Sequence, residues 1–280
     1  MVVNLDYAAG ELRVTAVVAE ETNMLTAFKQ GMDPHLYTGC SLAGLTYEKG
    51  YQMKKNPTSE AEAKLIKKLR QGAKAASVGL LYGMQVAGYV AYARDNYGVS
   101  MTMQEGEENR NKFLHQMYPG LPAWHEDSIN YAREHQFIAS PLGRIRHLPL
   151  INSKMWGERS RAERQAINSP IQSCLSDMSV WSLVEFHKRY GQPEGCQFFA
   201  MCHDALTAYV KEDELDIWLP RVRDIMRDLP LYDVFGWESP IVFEADAEIG
   251  PNMGDLIEMS FKPNGSVDWE DYEHELKKAA

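Results

Sequence analysis

Phe198-Phe199-Ala200-Met201-Cys202-His203-Asp204-Ala205-Leu206-Thr207-Ala208-Tyr209-Val210 is the stretch whose reading decides the fold. It holds two apolar, strand-like runs, 198–202 and 206–210, with His203-Asp204-Ala205 where they must turn. Asp204 therefore sits at the tip of a predicted hairpin. An aspartate at a turn often does no more than satisfy local backbone donors. At the other end of the chain, Val2-Val3-Asn4-Leu5 predicts a short strand that delivers Asp6. Each carboxylate alone is a weak signal. Two of them at strand ends could together hold Mg²⁺ ions for a phosphoryl transfer.

Working outward from these strands, Glu11 to Met24 predicts a helix with Leu12, Val14, Val17 and Val18 as its apolar positions. Asp33-Pro34-His35 starts another, with Pro34 in its first turn. Thr46 to Ser59, polar and carrying Pro57, predicts a loop. Helical patterns follow over Glu60 to Tyr82, Met84 to Tyr97 (ended by Gly98), Glu105 to Met117 and Leu121 to Glu134. Ser140 to His147 reads as a hairpin flanked by strands. Glu158 to Tyr190 predicts a long helix, with a kink or break at Pro170. Leu215 to Met226 is helical, Ile241 to Ile249 a strand, and the tail from Ser260 to Ala280 polar and peripheral.

The 280 residues suit one large or two small domains, and 45% hydrophobic with 24% charged residues is ordinary globular usage. No run approaches the roughly 20 apolar residues of a membrane helix, so no membrane partner is expected. The first residues lack the features of a signal peptide. Cys40, Cys174, Cys196 and Cys202 are scattered without metal-type pairing, which suggests a reducing cytoplasm. A net charge of −10 counts against nucleic-acid binding as a total. Its distribution is uneven, however. Acidic residues crowd the chain from Glu244 onward and at 105–108. Basic ones gather at Lys64, Lys67, Lys68, Arg70 and Lys74, at Arg144 and Arg146, and at Arg159, Arg161 and Arg164.

Arg70, Lys74, Val78 and Tyr82 recur every four residues, so a helix sets them along one face. Two cations, a small apolar contact and an aromatic ring would suit a triphosphate with its sugar and base farther on. A solvated cationic face running into a core contact is the plainer reading of the spacing. Arg164, Asn168 and Gln172 show the same step and offer donors suited to a nucleic-acid minor groove or backbone, or simply a polar helix surface.

Taken together and in order, these segments resemble the DNA polymerases of family A, the pol I group. Asp6-Tyr7-Ala8-Ala9-Gly10-Glu11-Leu12-Arg13 resembles motif A, Arg70 to Met84 motif B, and His203-Asp204 between apolar strands motif C. Pro141 to Arg146 and Glu163 to Gln172 are similar to two further family segments. Asp33-Pro34-His35 and Gly250 to Gly254 also match in place. The resemblance covers roughly residues 1 to 258, and a compact, divergent polymerase half is expected to come from a phage or another mobile replicon.

The resemblance implies an α+β fold: an antiparallel palm over 1–13 and 160–280, with a mainly helical fingers insertion over 14–159 and no thumb. It implies two Mg²⁺ ions on Asp6, Asp204 and the carbonyl of Tyr7. Arg70 and Lys74 would grip the β- and γ-phosphates of a deoxynucleoside triphosphate, Lys74 also protonating the leaving pyrophosphate. Glu11 would crowd a ribose 2′-hydroxyl, Val78 would line the sugar pocket, and Tyr82 would stack near the template base. Arg164, Asn168 and Gln172 would touch primer-template DNA in the minor groove, and His203 would lie by the primer terminus.

Two positions depart from the family. Ala205 stands where a Glu usually follows the motif C aspartate, and Val78 where Phe or Tyr is usual. A single-subunit RNA polymerase shares the palm and the His-Asp turn, but that lineage has a small residue where this chain has Glu11. A non-catalytic scaffold derived from a polymerase would first show losses such as Ala205 and Val78, while retention of Asp6, Arg70, Lys74, Tyr82 and Asp204 counts against it. The Val2–Leu5 strand is expected to lack neighbours and to leave an apolar edge. A second polypeptide carrying a thumb and a 3′→5′ exonuclease would cover it, unless the chain is part of a longer protein.

Overall fold

The computed structural model describes residues 1–279. In chain order the elements are β1 (Val2–Tyr7), α1 (Gly10–Val18), α2 (Thr22–Lys29), α3 (Pro34–Leu42), α4 (Tyr47–Lys55), α5 (Glu60–Gly79), α6 (Val86–Tyr97) and α7 (Met103–Asn111). A π-helical turn over Lys112–Met117 leads to α8 (Gly120–His135), β2 (Phe137–Ala139), β3 (Ile145–His147) and α9 (Trp156–Tyr190). After these come β4 (Cys196–Cys202), β5 (Ala205–Val210), α10 (Leu215–Arg227), α11 (Leu231–Phe235), β6 (Ala245–Gly250), β7 (Ile257–Met259) and α12 (Trp269–Ala279). The chain forms two compact units. One comprises 1–11, 141–143 and 172–280; the other comprises 12–140 and 144–171.

The first unit is built on an antiparallel sheet in the order β4-β5-β1-β6-β7. The chain's first strand thus lies in the middle, paired with β5 through Leu5↔Leu206 and with β6 through Asp6↔Asp246. The expected orphan strand is corrected. Segments far away in sequence supply both its neighbours, and the apolar edge that would have called for a covering chain does not arise at β1. One sheet face buries Val3, Leu5, Tyr7, Leu206, Ala208, Ala247 and Ile249. The Tyr7 hydroxyl, itself buried, donates to the Met226 carbonyl at 3.0 Å and lies 3.2 Å from Ser182 Oγ, tying β1 to α10 and α9. Phe186 of α9 meets Phe198 of β4 edge-on at 4.9 Å and Trp218 of α10 at 5.8 Å.

In the second unit, α3 and α5 pack closely. Gly39 faces the Leu69 carbonyl so tightly that a Cβ there would come within 2.6 Å. Leu36, Cys40 and Ile66 form the adjoining core. A second core joins Ala132 of α8, Ile138 of β2, Leu148, Ile151, and Ala162 and Ala166 of α9.

Several elements differ from the sequence reading for local reasons. Residues 46–59 contain α4 instead of a loop, because Thr46 caps it through Lys49 N–H, Glu48 sits in its first turn, and Lys54 and Lys55 complement its last. The expected strand from Ile241 begins only at Ala245: Ile241 and Phe243 are buried, but β1 ends at Tyr7 and offers them no ladder. Helix α9 runs through Pro170 without a break, and the boundary between the compact units falls just beyond it, at 171/172. The tail packs through buried Val267 and ends in α12, with Trp269 Nε1 donating to Asp216 at 2.8 Å.

Candidate active site

At the end of β1, Asp6 projects from the sheet face opposite the buried one, since Leu5 and Tyr7 point into the core and side chains alternate. Directly across from it on β6 is Asp246, and two pairs farther along, on the same face, Glu248 faces Asn4. The β4–β5 turn supplies Asp204. His203 takes a left-handed φ of 57°, which makes the two-residue reversal possible, and is exposed. Ser179 Oγ of α9 donates to the Asp204 carbonyl at 2.7 Å and so fixes the turn against the helix.

Burial, followed by Asp246, Asp204 and Glu248, raises the Asp6 carboxyl from 3.8 to about 6. Asp204 is raised as well, by burial, with His203 opposing. Among the described residues neither of these two carboxylates has a Lys or Arg at ion-pair distance. Like charges gathered at one sheet end are stabilised by a cation. Hard carboxylate oxygens are the donors that Mg²⁺ takes. Asp246, like Glu248, is a member that sequence reading missed. Its position depends on strand register, and only its alternation with Ala245 and Ala247 could have hinted at an outward-facing side chain.

Glu11 stands in the first turn of α1 and Gln172 on α9, and Gln172 Nε2 donates a hydrogen bond to Glu11 Oε1. The sequence reading gave these residues separate roles; the structure joins them.

In the other unit, Arg70 and Lys74 lie one turn apart on α5 with Val78 a turn later, as the four-residue spacing implies. Lys74 is exposed and Val78 half-buried. Arg70 Nε lies 3.0 Å from Asp33 Oδ2, which Lys54 Nζ also approaches at 2.8 Å. Asp33 caps α3 by accepting from His35 and Leu36 N–H. Burial would raise its carboxyl, but Lys54, the Leu36 N–H and Arg70 together hold it below the ordinary range. The structure adds His35 to this group. Its Nδ1 is buried without a hydrogen-bond partner, and burial lowers its pKa to about 4, with Lys74 and Arg70 adding to the effect and Asp33 opposing it. In the sequence Asp33-Pro34-His35 marks a helix start and matches the family in place, and neither signal names this chemistry.

Helix α5 ends at Gly79, and Tyr82 lies in the turn beyond it rather than on the helix. Gly83 takes a φ of +74°, the Met84 N–H closes onto the Gly79 carbonyl at 3.1 Å, and the His125 ring holds the Leu81 carbonyl at 2.7 Å. Tyr82, Met84, Tyr92, Arg164 and Ile167 line a cavity of about 550 Å³. Arg164 Nη1 donates to Ser160 Oγ at 2.7 Å, and Asn168 is half-buried one turn farther along α9. A separate metal-type group, Asp271, His274 and Glu275 on α12, has its ligand atoms within 4.8 Å of one another. No helix among the described residues is long and apolar enough to cross a membrane.

The family model of DNA polymerase family A matches residues 1–255. The chain is 27% identical to the thermostable DNA polymerase I of Thermus filiformis over 229 residues, covering 82% of this chain and 25% of that protein. It is 29% identical to DNA polymerase I of Pseudomonas aeruginosa over 244 residues, covering 86% and 23%. The chain spans about a quarter of the length of these relatives. Among solved structures, the POL domain of Pol1 from M. smegmatis, in complex with DNA primer-template and dNTP, superposes with a TM-score of 0.68 at 22% identity, over 88% of this chain and 38% of that one. That likeness carries the fold: a mixed helix-and-sheet architecture with an antiparallel sheet. With the family's pattern matched over 1–255, the chain belongs to DNA polymerase family A.

Proposed function

We propose that this chain extends a DNA primer on a template by transferring deoxynucleotides from their triphosphates, acting as the palm and fingers of a family A polymerase. The observation that carries the reading is the group of carboxylates at the ends of β1 and the β4–β5 turn. Burial and the neighbouring acids raise Asp6, burial raises Asp204, and neither has a Lys or Arg partner among the described residues. Asp6, Asp204 and the Tyr7 carbonyl would hold Mg²⁺, which when bound supplies activation of the primer 3′-hydroxyl and charge neutralisation on the triphosphate.

The remaining roles belong to the chain's own side chains. Arg70 and Lys74 bind the β- and γ-phosphates, and the ammonium of Lys74 gives a proton to the departing pyrophosphate oxygen. Glu11 occupies the space of a ribose 2′-hydroxyl and so favours deoxynucleotides, with Val78 leaving room beside the sugar. Tyr82 tests the shape of the nascent pair. Arg164, Asn168 and Gln172 touch the duplex through its minor groove, and His203 meets the primer end.

Primer extension with purified protein, Mg²⁺ and all four deoxynucleotides tests this. Asp6→Ala and Asp204→Ala are expected to lower incorporation by several powers of ten while the protein stays folded. Turnover within tenfold of wild type in either variant would remove the assignment.

A further inference from the structure

Glu11 and Gln172 enter the proposal above as a sugar gate and a duplex contact, yet Gln172 Nε2 donates directly to Glu11 Oε1. The surrounding backbone is built for this meeting. β1 ends at Tyr7, Ala9 turns the chain with a left-handed φ of 50°, and α1 begins at once with Gly10. A Cβ on Gly10 would stand 2.8 Å from Leu175 Cδ2 and 3.0 Å from Tyr7 Cβ, so a side chain here would have to displace Leu175 for the turn to lie this close to α9. Gln172 and Leu175 are three residues apart and share one face of α9. That helix therefore grips two consecutive residues, Gly10 through Leu175 and Glu11 through Gln172.

A glutamate excludes a hydroxyl group only if its own atoms stay where they are. Left free, its side chain rotates among several staggered positions, and a 2′-hydroxyl can push it aside. An amide donor on one carboxylate oxygen removes most of that freedom.

We infer that Gln172 is a positioning residue for Glu11 and, through it, a determinant of sugar selectivity in this polymerase. The inference rests on the DNA-synthesis reading and on Glu11 as the sugar gate. It goes beyond them by giving Gln172 an effect on ribose discrimination that a minor-groove contact alone would not have.

The test compares kcat/KM for one deoxynucleotide with that for the matching ribonucleotide. The variants are Gln172→Met, which keeps length but lacks the donor, Gln172→Glu, which sets a like charge against Glu11, Glu11→Ala and the double variant Glu11→Ala with Gln172→Met. Melting temperatures are measured in parallel. A minor-groove role alone would lower both kcat/KM values together and leave their ratio unchanged. Positioning lowers the deoxy-to-ribo ratio about tenfold in Gln172→Met and further in Gln172→Glu. It leaves the double variant no less selective than Glu11→Ala alone. If Glu11→Ala changes the ratio and neither Gln172 variant does, the inference is overturned while the sugar gate stands. If Glu11→Ala itself leaves the ratio unchanged, gate and inference fail together. Should Gln172→Met not fold, the ratio in Gln172→Glu decides by the same criterion.

Discussion

Replacing Asp6 with asparagine should make the metal-free protein more stable while abolishing its chemistry. The folded-state carboxyl is raised from 3.8 to about 6, first by burial and then by Asp246, Asp204 and Glu248. At about 1.36 kcal/mol per pH unit the ceiling is about 3 kcal/mol. Asp6 is only half-buried, and solvent screening on its open side reduces this to about 1–2 kcal/mol. The sign follows from the direction of the shift. A carboxyl whose folded pKa exceeds its unfolded pKa binds its proton more tightly when folded. The metal-free wild type therefore loses stability as pH rises from about 4 to about 6 and is level above that. The asparagine variant carries no charge at this position and escapes the loss. In EDTA at pH 8, Asp6→Asn should melt about 3–6 °C above wild type, and the gap should close toward pH 4, where the wild-type carboxyl is largely protonated in the folded protein. Adding Mg²⁺ or Mn²⁺ should raise the wild-type Tm and leave the variant nearly unmoved. Differential scanning fluorimetry across pH, with and without metal, reads all of this. A variant that melts below wild type at pH 8 in EDTA would show that the Asp6 carboxylate is held by favourable contacts, and the cation-site argument would lose its basis.

Ala205→Glu sets a further carboxylate near Asp6, because Ala205 and Asp6 are the residues next after the last paired residues, Leu206 and Leu5. In EDTA its Tm should fall slightly, and divalent metal should stabilise it more than wild type; a large loss that metal does not recover would show a register different from this one. Lys74→Ala should leave stability within about 0.5 kcal/mol, since the side chain is exposed. It should lower kcat/KM for deoxynucleotides about a hundredfold or more, and an unaffected single-turnover rate would take Lys74 out of the phosphate site. Gly10→Ala pushes a methyl group to 2.8 Å from Leu175 Cδ2 and should cost about 1–3 kcal/mol of stability in urea denaturation. Paired with Leu175→Ala it should recover part of that loss, and no recovery would point to backbone strain instead of the contact.

What local chemistry controls was legible in the residues alone. The hairpin carrying Asp204 follows from two apolar runs around a turn, and the observed strands Cys196–Cys202 and Ala205–Val210 match it. Asp33 caps α3 with Pro34 in the first turn, Gly98 ends α6 in the left-handed conformation, and Arg70, Lys74 and Val78 share a helix face. In each case the deciding contacts lie within about four residues along the chain. The same scale explains the errors. In α4 the caps outweighed a polar composition, and at Ile241–Glu244 an apolar alternation had no strand beside it.

Tertiary structure decided which distant segments meet. Whether Val2–Tyr7 is an orphan edge or the middle of a sheet depends on β5 and β6, encoded some two hundred residues later. Asp246 enters the carboxylate group only through that register, because shifting a strand by one residue turns its side chains to the other face. His35 joins Arg70 and Lys74 only because α3 packs on α5. Glu11 meets Gln172 only because the turn after β1 lies against α9, where Gly10 packs on Leu175. Residue types and spacing name the candidates for chemistry. Burial of the apolar faces of β1, β5, β6 and α9 brings the carboxylates of the first unit to one end of one sheet, and that burial belongs to the folded chain as a whole.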